Sequence, residues 1–387
     1  MMTRKIIKSI TKGLFVYLLL ISICCSLLFL SFSLDGDIES NASIGICKIS
    51  NGEIYPKVLE HYLPMPWTYF LSSWAHYLQQ DKFTDREMLK AAIAPGDNIF
   101  ERAMVPEYGR YWHGYLVFLR PVLMFFPYEE IKYLGLIVHI LGISIIYFSV
   151  KRISDFLAKG LVVSFLLYGW LTAWLSFQFY SAYFIVYAAG SLVTRIKKET
   201  YPIFFFITGM AVAFFDLLSV PLLTLGIPLL IIYAKEKRTN FTSIFLYCIL
   251  WLIGYGLFWM AKPLIATYIL QQNIIADFCH QAMYRIGGSI PRPTEMPIWL
   301  QALTMNGRVL VGLIPIFLFF RKKVFWNINN GMPLLFIGGM PILWVCILAN
   351  HSAIHYWFTA RVFMISCFAL IVYIYKIDDY KNSHENI

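Results

Sequence analysis

RKIIKSITKGLFVYLLLISICCSLLFLSFS (residues 4–33) places Arg4, Lys5, Lys8 and Lys12 ahead of an apolar run from residue 13 to residue 33. A helix needs about 20 mainly apolar residues to cross the roughly 30 Å of a bilayer's hydrocarbon. This run meets that length. It is too long for the apolar core of a usual signal peptide, and no clear A-x-A cleavage site follows it. It reads as a retained membrane helix with its cationic end inside.

Working outward, apolar segments recur at 131–150, 161–179, 181–195, 202–219, 221–234, 242–261, 298–320, 332–349 and 359–376. The expectation is an all-α, polytopic transmembrane helical bundle of about 10 spans. Segments 181–195 and 221–234 are short, and Pro221 and Pro228 point to tilted or broken helices there. The composition agrees: 59% of residues are hydrophobic and 14% charged, against about 25% charged in soluble domains.

Charge sets the orientation. Cations follow the second, fourth, sixth, eighth and tenth segments: Lys151, Arg152 and Lys159; Arg195, Lys197 and Lys198; Lys235, Lys237 and Arg238; Arg321, Lys322 and Lys323; Lys376 and Lys381. With the N-terminal group they hold 18 of the 32 Lys and Arg residues, and all fall on one side. The positive-inside rule then makes both termini cytoplasmic, in what reads as a bacterial plasma membrane. The net charge of +10 is therefore a topology signal. No basic domain or aromatic-basic face suits nucleic acid, and no Cys/His spacing suits zinc.

The chain divides into a cytoplasmic N-terminus and first helix (1–34), a long outer loop (35–130), six further spans (131–262), a second outer loop (263–297) and a last group of spans with a cytoplasmic tail (298–387). Inner connections are too short for a catalytic domain, so chemistry belongs to the outer loops or the helix mouths. In the first loop, YLPMPWTYFLSSWAHYL (62–78) reads as an interfacial amphipathic helix. RYWHGYLVFLRPVLMFF (110–126) reads as a second one, or as a re-entrant segment. Cys47 and Cys279 lie one in each loop, and whether they pair is open.

Several polar groups are candidates for chemistry. Arg110, His113 and Arg120 are positioned to bind phosphate, with Tyr111, Trp112 and Tyr115 as stacking platforms; the alternative is arginines snorkelling from an interfacial helix. Asp216 and Arg308 are ionisable groups within spans, either at a ligand site or as a structural pair. His139 reads as a packed helix-interface histidine. NHSAIHYWFTAR (350–361) brings Asn350, His351, His355 and Arg361 to one helix mouth. The four-residue His spacing permits a metal pair, but polar contacts to a phosphate or sugar are the preferred reading. Asp35 and Asp37 in SLDGDIES and Asp97 in PGDNIFER are acids placed to act as a base, or to serve as solvated turns and caps.

The stretches YGRYWHGYLVFLRPVLMFF (108–126), AFFDLLSVPLLTLGIPLL (213–230) and NHSAIHYWFTAR, set in this architecture, resemble the GT-C class of membrane glycosyltransferases, most closely the bacterial membrane proteins of cell-surface polysaccharide pathways. The resemblance implies a polyprenyl-phosphate-linked sugar donor, a surface glycan or lipid-linked acceptor, a membrane-lipid environment and a divalent metal (Mg or Mn) as a possible cofactor. It also implies a catalytic acid soon after the first helix, where Asp35 and Asp37 stand; here DGD replaces the family's DD or DE pair, and Asp97 is the rival. A polysaccharide polymerase or ligase is the alternative. A flippase or transporter comes third, because no internal repeat is found.

Overall fold

The computed structural model describes residues 2–51, 82–236, 239–288, 296–312 and 328–384. The protein is all-helical, with no strand among the described residues. The helices that carry the argument are α1 (Met2–Phe32), α2 (Ile38–Ser50), α3 (Lys82–Ala92), α4 (Ile99–Met104), α5 (Leu116–Leu123), α6 (Tyr128–Lys151), α7 (Asp155–Leu167) and α8 (Tyr180–Val193). They continue with α9 (Tyr201–Phe215), α10 (Leu223–Lys235), α11 (Phe241–Leu270), α12 (Ile274–Gly287), α13 (Ile298–Gly307), α14 (Ile328–Ile347), α15 (Ala349–Ile354) and α16 (Met364–His384).

Among the described residues, four helical stretches are long and apolar enough to cross a membrane: Thr11–Phe32, Tyr128–Lys151, Phe241–Leu270 and Tyr356–Lys376. Phe177–Val193, Leu223–Lys235 and Gly331–Ile347 are apolar but shorter. Large apolar side chains point outward along these helices, among them Phe15 on α1, Phe148 on α6 and Leu264 on α11. Water would penalise such a surface and lipid would not, so the protein is membrane-associated.

Several expected spans are interrupted. The segment 161–179 breaks after α7, where Gly169 adopts φ +85° and Ser176 is extended. The segment 202–219 breaks at Asp216, which is extended, followed by Leu218 at φ +64°. The segment 298–320 is α-helical only to Gly307 and then tightens into a 3-10 turn. The expected interfacial helix at 62–78 lies outside the described residues, as do Lys237, Arg238 and Arg321–Lys323.

Small residues set the tightest crossing. A Cβ on Gly209 of α9 would lie 2.2 Å from the Trp251 carbonyl oxygen of α11. One on Gly254 of α11 would lie 2.2 Å from the Phe206 carbonyl oxygen of α9. The two backbones touch directly, a contact only glycine permits. His139 is buried at the α6–α8 contact, its Nδ1 3.0 Å from the Tyr187 hydroxyl, as a packed interface histidine.

At one end of the bundle, Lys235 donates to the Val193 and Ile196 carbonyls at 3.2 and 3.0 Å. Tyr201 donates to Glu236 at 2.8 Å, and Lys376 to the Glu236 carbonyl at 3.1 Å. The ends of α8, α10 and α16 and the start of α9, all expected on the cationic side, therefore meet.

At the other end, residues 35–51 and 82–130 build a packed helical cap. Arg120 donates to the carbonyls of Ser31 (2.9 Å), Ala92 and Leu34 (3.4 Å) and stacks over Phe32. It thus ties α5 to the end of α1 and to α3. Asp85 of α3, fully buried, accepts from Tyr128 (2.5 Å), Ser176 (3.0 Å) and the Gln178 amide (3.1 Å). The 110–126 segment is correspondingly not an interfacial helix. Residues 110–115 are irregular, α5 is short, and Trp112, Tyr115, Leu116, Leu119 and Leu123 are buried inside the protein.

Candidate functional site

The cap encloses a cavity of about 180 Å³. Its wall draws on segments far apart in sequence: α3, the 105–115 loop, Gln178, Leu217, Arg285 of α12, and His351, His355 and Phe358 beside α15. Each belongs to a segment that the charge pattern places on the outer side. The fold brings 82–115, 178, 217, 285 and 351–358 to a single cavity.

Backbone strain gathers here. Among the described residues, four non-glycine residues have positive φ: Val105, His113, Leu218 and Gln271. Val105 and His113 line the cavity, and Leu218 follows Leu217 of the wall. Gln271 starts the turn that carries α12 and its Arg285. Such conformations cost about 1–3 kcal/mol each and persist where the surroundings hold them, most often at functional sites.

The strain has a consequence for two histidines. His113 Nδ1 lies 2.8 Å from the Tyr111 carbonyl. His351 Nε2 lies 3.2 Å from the carbonyl of the strained Leu218. A carbonyl only accepts, so each of these nitrogens carries the proton and the opposite nitrogen carries the lone pair. Burial depresses the His113 pKa well below the ordinary imidazole value, helped by Lys262 and Arg110. Burial likewise depresses that of His351, helped by His355 and Arg285. Both are neutral at pH 7, with fixed tautomers.

The charge in the wall is balanced. Arg285 donates to the Tyr111 hydroxyl and, at 3.0 Å, to the Gln281 carbonyl, and its Nε is buried without a partner. Lys90 pairs with Glu87 at 3.0 Å, and Glu107 is exposed at the edge. Tyr108 and Tyr111 stack on one another 5.4 Å apart, 13° from parallel, and make an aromatic part of the wall. Such a cavity suits a ligand with one anionic group and a ring of mixed polarity.

Of the residues singled out in the sequence, His113, His351 and His355 meet at this cavity, together with Tyr111 and Tyr115. Arg110 lies behind it, paired with Asp277 at 2.9 Å and stacked on Tyr108. Trp112 is a packing residue, its indole donating to the Phe258 carbonyl at 2.6 Å. Arg120 is committed to three carbonyls and does not reach the cavity. Neither arginine snorkels. Asn350 donates to the Tyr284 carbonyl at 2.7 Å and so fastens α15 to α12.

Arg361 is buried in the bundle, bonded to the Gly169 carbonyl at 3.2 Å and stacked over Phe179. Asp216 is capped by the Ser219 hydroxyl and by its amide at 2.8 Å, while Arg308 is exposed, so the pairing weighed for them is not formed. Asp35, Asp37 and Asp97 are exposed and outside the cavity wall. Asp37 stands at the N-terminal end of α2 without a side-chain capping bond, and Asp97 sits in the turn before α4, its amide bonded to Glu101 at 3.2 Å.

The sequence reading missed Glu87, Lys90, Tyr108, Gln178 and Arg285. Arg285 had one available signal: an amphipathic helix in the second outer loop, N-capped by Asn273 and carrying Gln281 and Arg285 four residues apart. Among the described residues, no group of three or more His, Cys, Asp or Glu side chains is placed to hold a metal ion. The described residues do not fit the divalent metal that the resemblance allows. Cys47 and Cys279 are both free thiols. No protein-family model, curated protein or solved structure matches the chain.

Proposed function

We propose that this protein is a membrane glycosyltransferase that moves a sugar from a polyprenyl-phosphate donor to a surface glycan or lipid-linked acceptor at the outer face. In this reading the chain crosses a bacterial plasma membrane about 10 times, with both termini cytoplasmic. The interrupted segments complete the spans as paired shorter helices.

The observation that supports it is the convergence of segments from 83–115, 178, 217, 285 and 351–358 on one cavity that offers Arg285, stacked tyrosines and two neutral histidines. Arg285 takes the role first given to Arg110 and Arg120, holding the donor phosphate. Tyr108 and Tyr111 form the aromatic part of the wall against which a sugar ring would lie. The acceptor hydroxyl enters from the side of the exposed Glu107.

The test uses the full chain in lipid nanodiscs with a panel of polyprenyl-monophosphate sugars. Transfer to a co-reconstituted membrane glycolipid acceptor is expected, as is an at least tenfold loss of polyprenyl-monophosphate binding in Arg285→Ala. The reading fails if no donor is consumed and if Arg285→Ala binds polyprenyl monophosphate as the parent does.

A further inference from the structure

We propose that His113 is the residue that takes the acceptor's proton, in place of a carboxylate. This rests on the transferase reading above. The groups of the wall able to accept a proton are Glu87, Glu107, His113, His351 and His355. Glu87 is occupied: its Oε1 accepts from Lys90 at 3.0 Å and from Arg86 at 3.4 Å. Glu107 is exposed at the edge, away from the buried part of the wall. His351 and His355 face one another at 4.9 Å on the far side, against Phe358. His113 stands apart within the aromatic part, its ring 6.1 Å from Tyr108, 6.3 Å from Tyr111 and 5.8 Å from Tyr115.

Three features equip it. The Tyr111 carbonyl fixes the proton on Nδ1, so the Nε2 lone pair is free to accept. The same carbonyl strengthens its bond to Nδ1–H once the ring gains a second proton, as a buried acid does for a base in hydrolases. The ring is held by a backbone at φ +53° on a residue only 2% exposed, a cost the fold sustains for this position. The groups that face it are cations and phenols: Arg110 from the same loop, Lys262 from α11, and Tyr108, Tyr111 and Tyr115. Burial, with these basic neighbours adding to it, keeps the resting ring neutral and able to accept at pH 7.

The step balances. His113 Nε2 takes the proton of the acceptor hydroxyl, and the oxygen's electron pair forms the new bond to the anomeric carbon. The bond from that carbon to the phosphate oxygen breaks, and its electron pair stays on the polyprenyl phosphate beside Arg285. The imidazolium returns its proton to water as products leave.

The decisive variant is His113→Asn. Asparagine tolerates positive φ better than most residues, and its amide NH2 replaces Nδ1–H as donor to the Tyr111 carbonyl, so fold and donor binding are kept. Loss of a general base costs about 10²–10⁴-fold in rate. The expectation is such a loss in transfer with polyprenyl-monophosphate binding unchanged, together with loss of the acidic limb of the pH–rate profile. A purely structural role would move melting temperature and not that limb. Transfer within threefold of the parent, or a loss of rate with the acidic limb intact, overturns the assignment and leaves the transferase reading standing. A parent protein that consumes no donor overturns both.

Discussion

Arg110 of the cap loop and Asp277 of α12 form an ion pair at 2.9 Å, and beside it Arg285 of α12 donates to the Tyr111 hydroxyl of the same loop. Two adjacent loop residues thus hold one amphipathic helix across the cavity. Arg110 is nearly buried and Asp277 about two-fifths exposed. Removing the acid strands a buried guanidinium, whereas removing both charges does not. Asp277→Ala is expected to raise amide exchange in α12 about tenfold, equivalent to roughly 1.4 kcal/mol of local opening. Arg110→Met combined with Asp277→Ala should recover part of that protection. Exchange measured by mass spectrometry on the nanodisc-embedded protein decides it. Equal protection in Asp277→Ala and parent would mean the pair does not hold α12.

The α9–α11 crossing gives a sharper stability prediction. Gly209 and Gly254 each bring a Cα hydrogen against the carbonyl of the other helix, with no space for a methyl. Unlike a side-chain neighbour, a carbonyl inside a helix cannot rotate away. Gly209→Ala or Gly254→Ala should each cost about 1–3 kcal/mol, and Gly254→Leu should abolish assembly. Gly256, on the same helix, meets nothing within 4 Å and serves as the control. Thermal melting monitored by size-exclusion yield checks both.

Arg120 marks where the sequence reading and the fold diverge. The sequence shows an arginine in an apolar segment near tyrosines, and phosphate binding is a reasonable expectation for such a group. The fold instead bends the chain so that its guanidinium meets three carbonyls left open at the ends of α1 and α3. Span periodicity is a local property, and it was legible: the described residues hold four helices long and apolar enough to cross a membrane. Which side chains share a cavity depends on segments about 200 residues apart, such as Glu87 and Arg285, and no local pattern reports that. The same limit hid the break at Gly169, where a single left-handed residue interrupts a run that reads as a span. Arg120→Lys should not substitute, because an ammonium lacks the planar fork. Arg120→Lys and Arg120→Met are both expected to lower stability by about 1–3 kcal/mol through unsatisfied carbonyls, while donor-lipid binding by the protein that remains folded is unchanged. Weakened donor binding in that fraction would restore a phosphate role for Arg120.

The two neutral histidines predict a pH dependence of stability. Each has a folded pKa below its unfolded value, so the unfolded chain binds protons first as pH falls. Their contribution is fully present above the ordinary imidazole value. It is lost as pH drops from there through the depressed folded values. Melting temperature is therefore expected to be flat from pH 8 to about 7 and to fall steadily from about 6.5 towards 5. The His113→Asn, His351→Asn double variant should show a shallower slope over that window. An identical slope in parent and double variant would assign the acid sensitivity to other groups.

Sidedness is the last quantity to test, and two native cysteines report it. Cys47 and Cys279 are exposed, each on a segment the charge pattern assigns to the outer face. Cys248 and Cys367 are buried, and Cys24, Cys25 and Cys346 lie in apolar helices where a charged reagent does not enter. A membrane-impermeant maleimide added to intact cells is therefore expected to label the parent, with about half the signal in Cys47→Ser or Cys279→Ser alone and none in the double variant. Half labelling follows from two exposed thiols, one on each of these segments. If both thiols react only after the cells are opened, the cap and its cavity face the cytoplasm, and a donor presented at the outer leaflet has no route to Arg285. The positive-inside reading and the assignment of the cavity to outer-face chemistry would then fall together, because the same alternation of spans places 47, 113, 285 and 351 on one side.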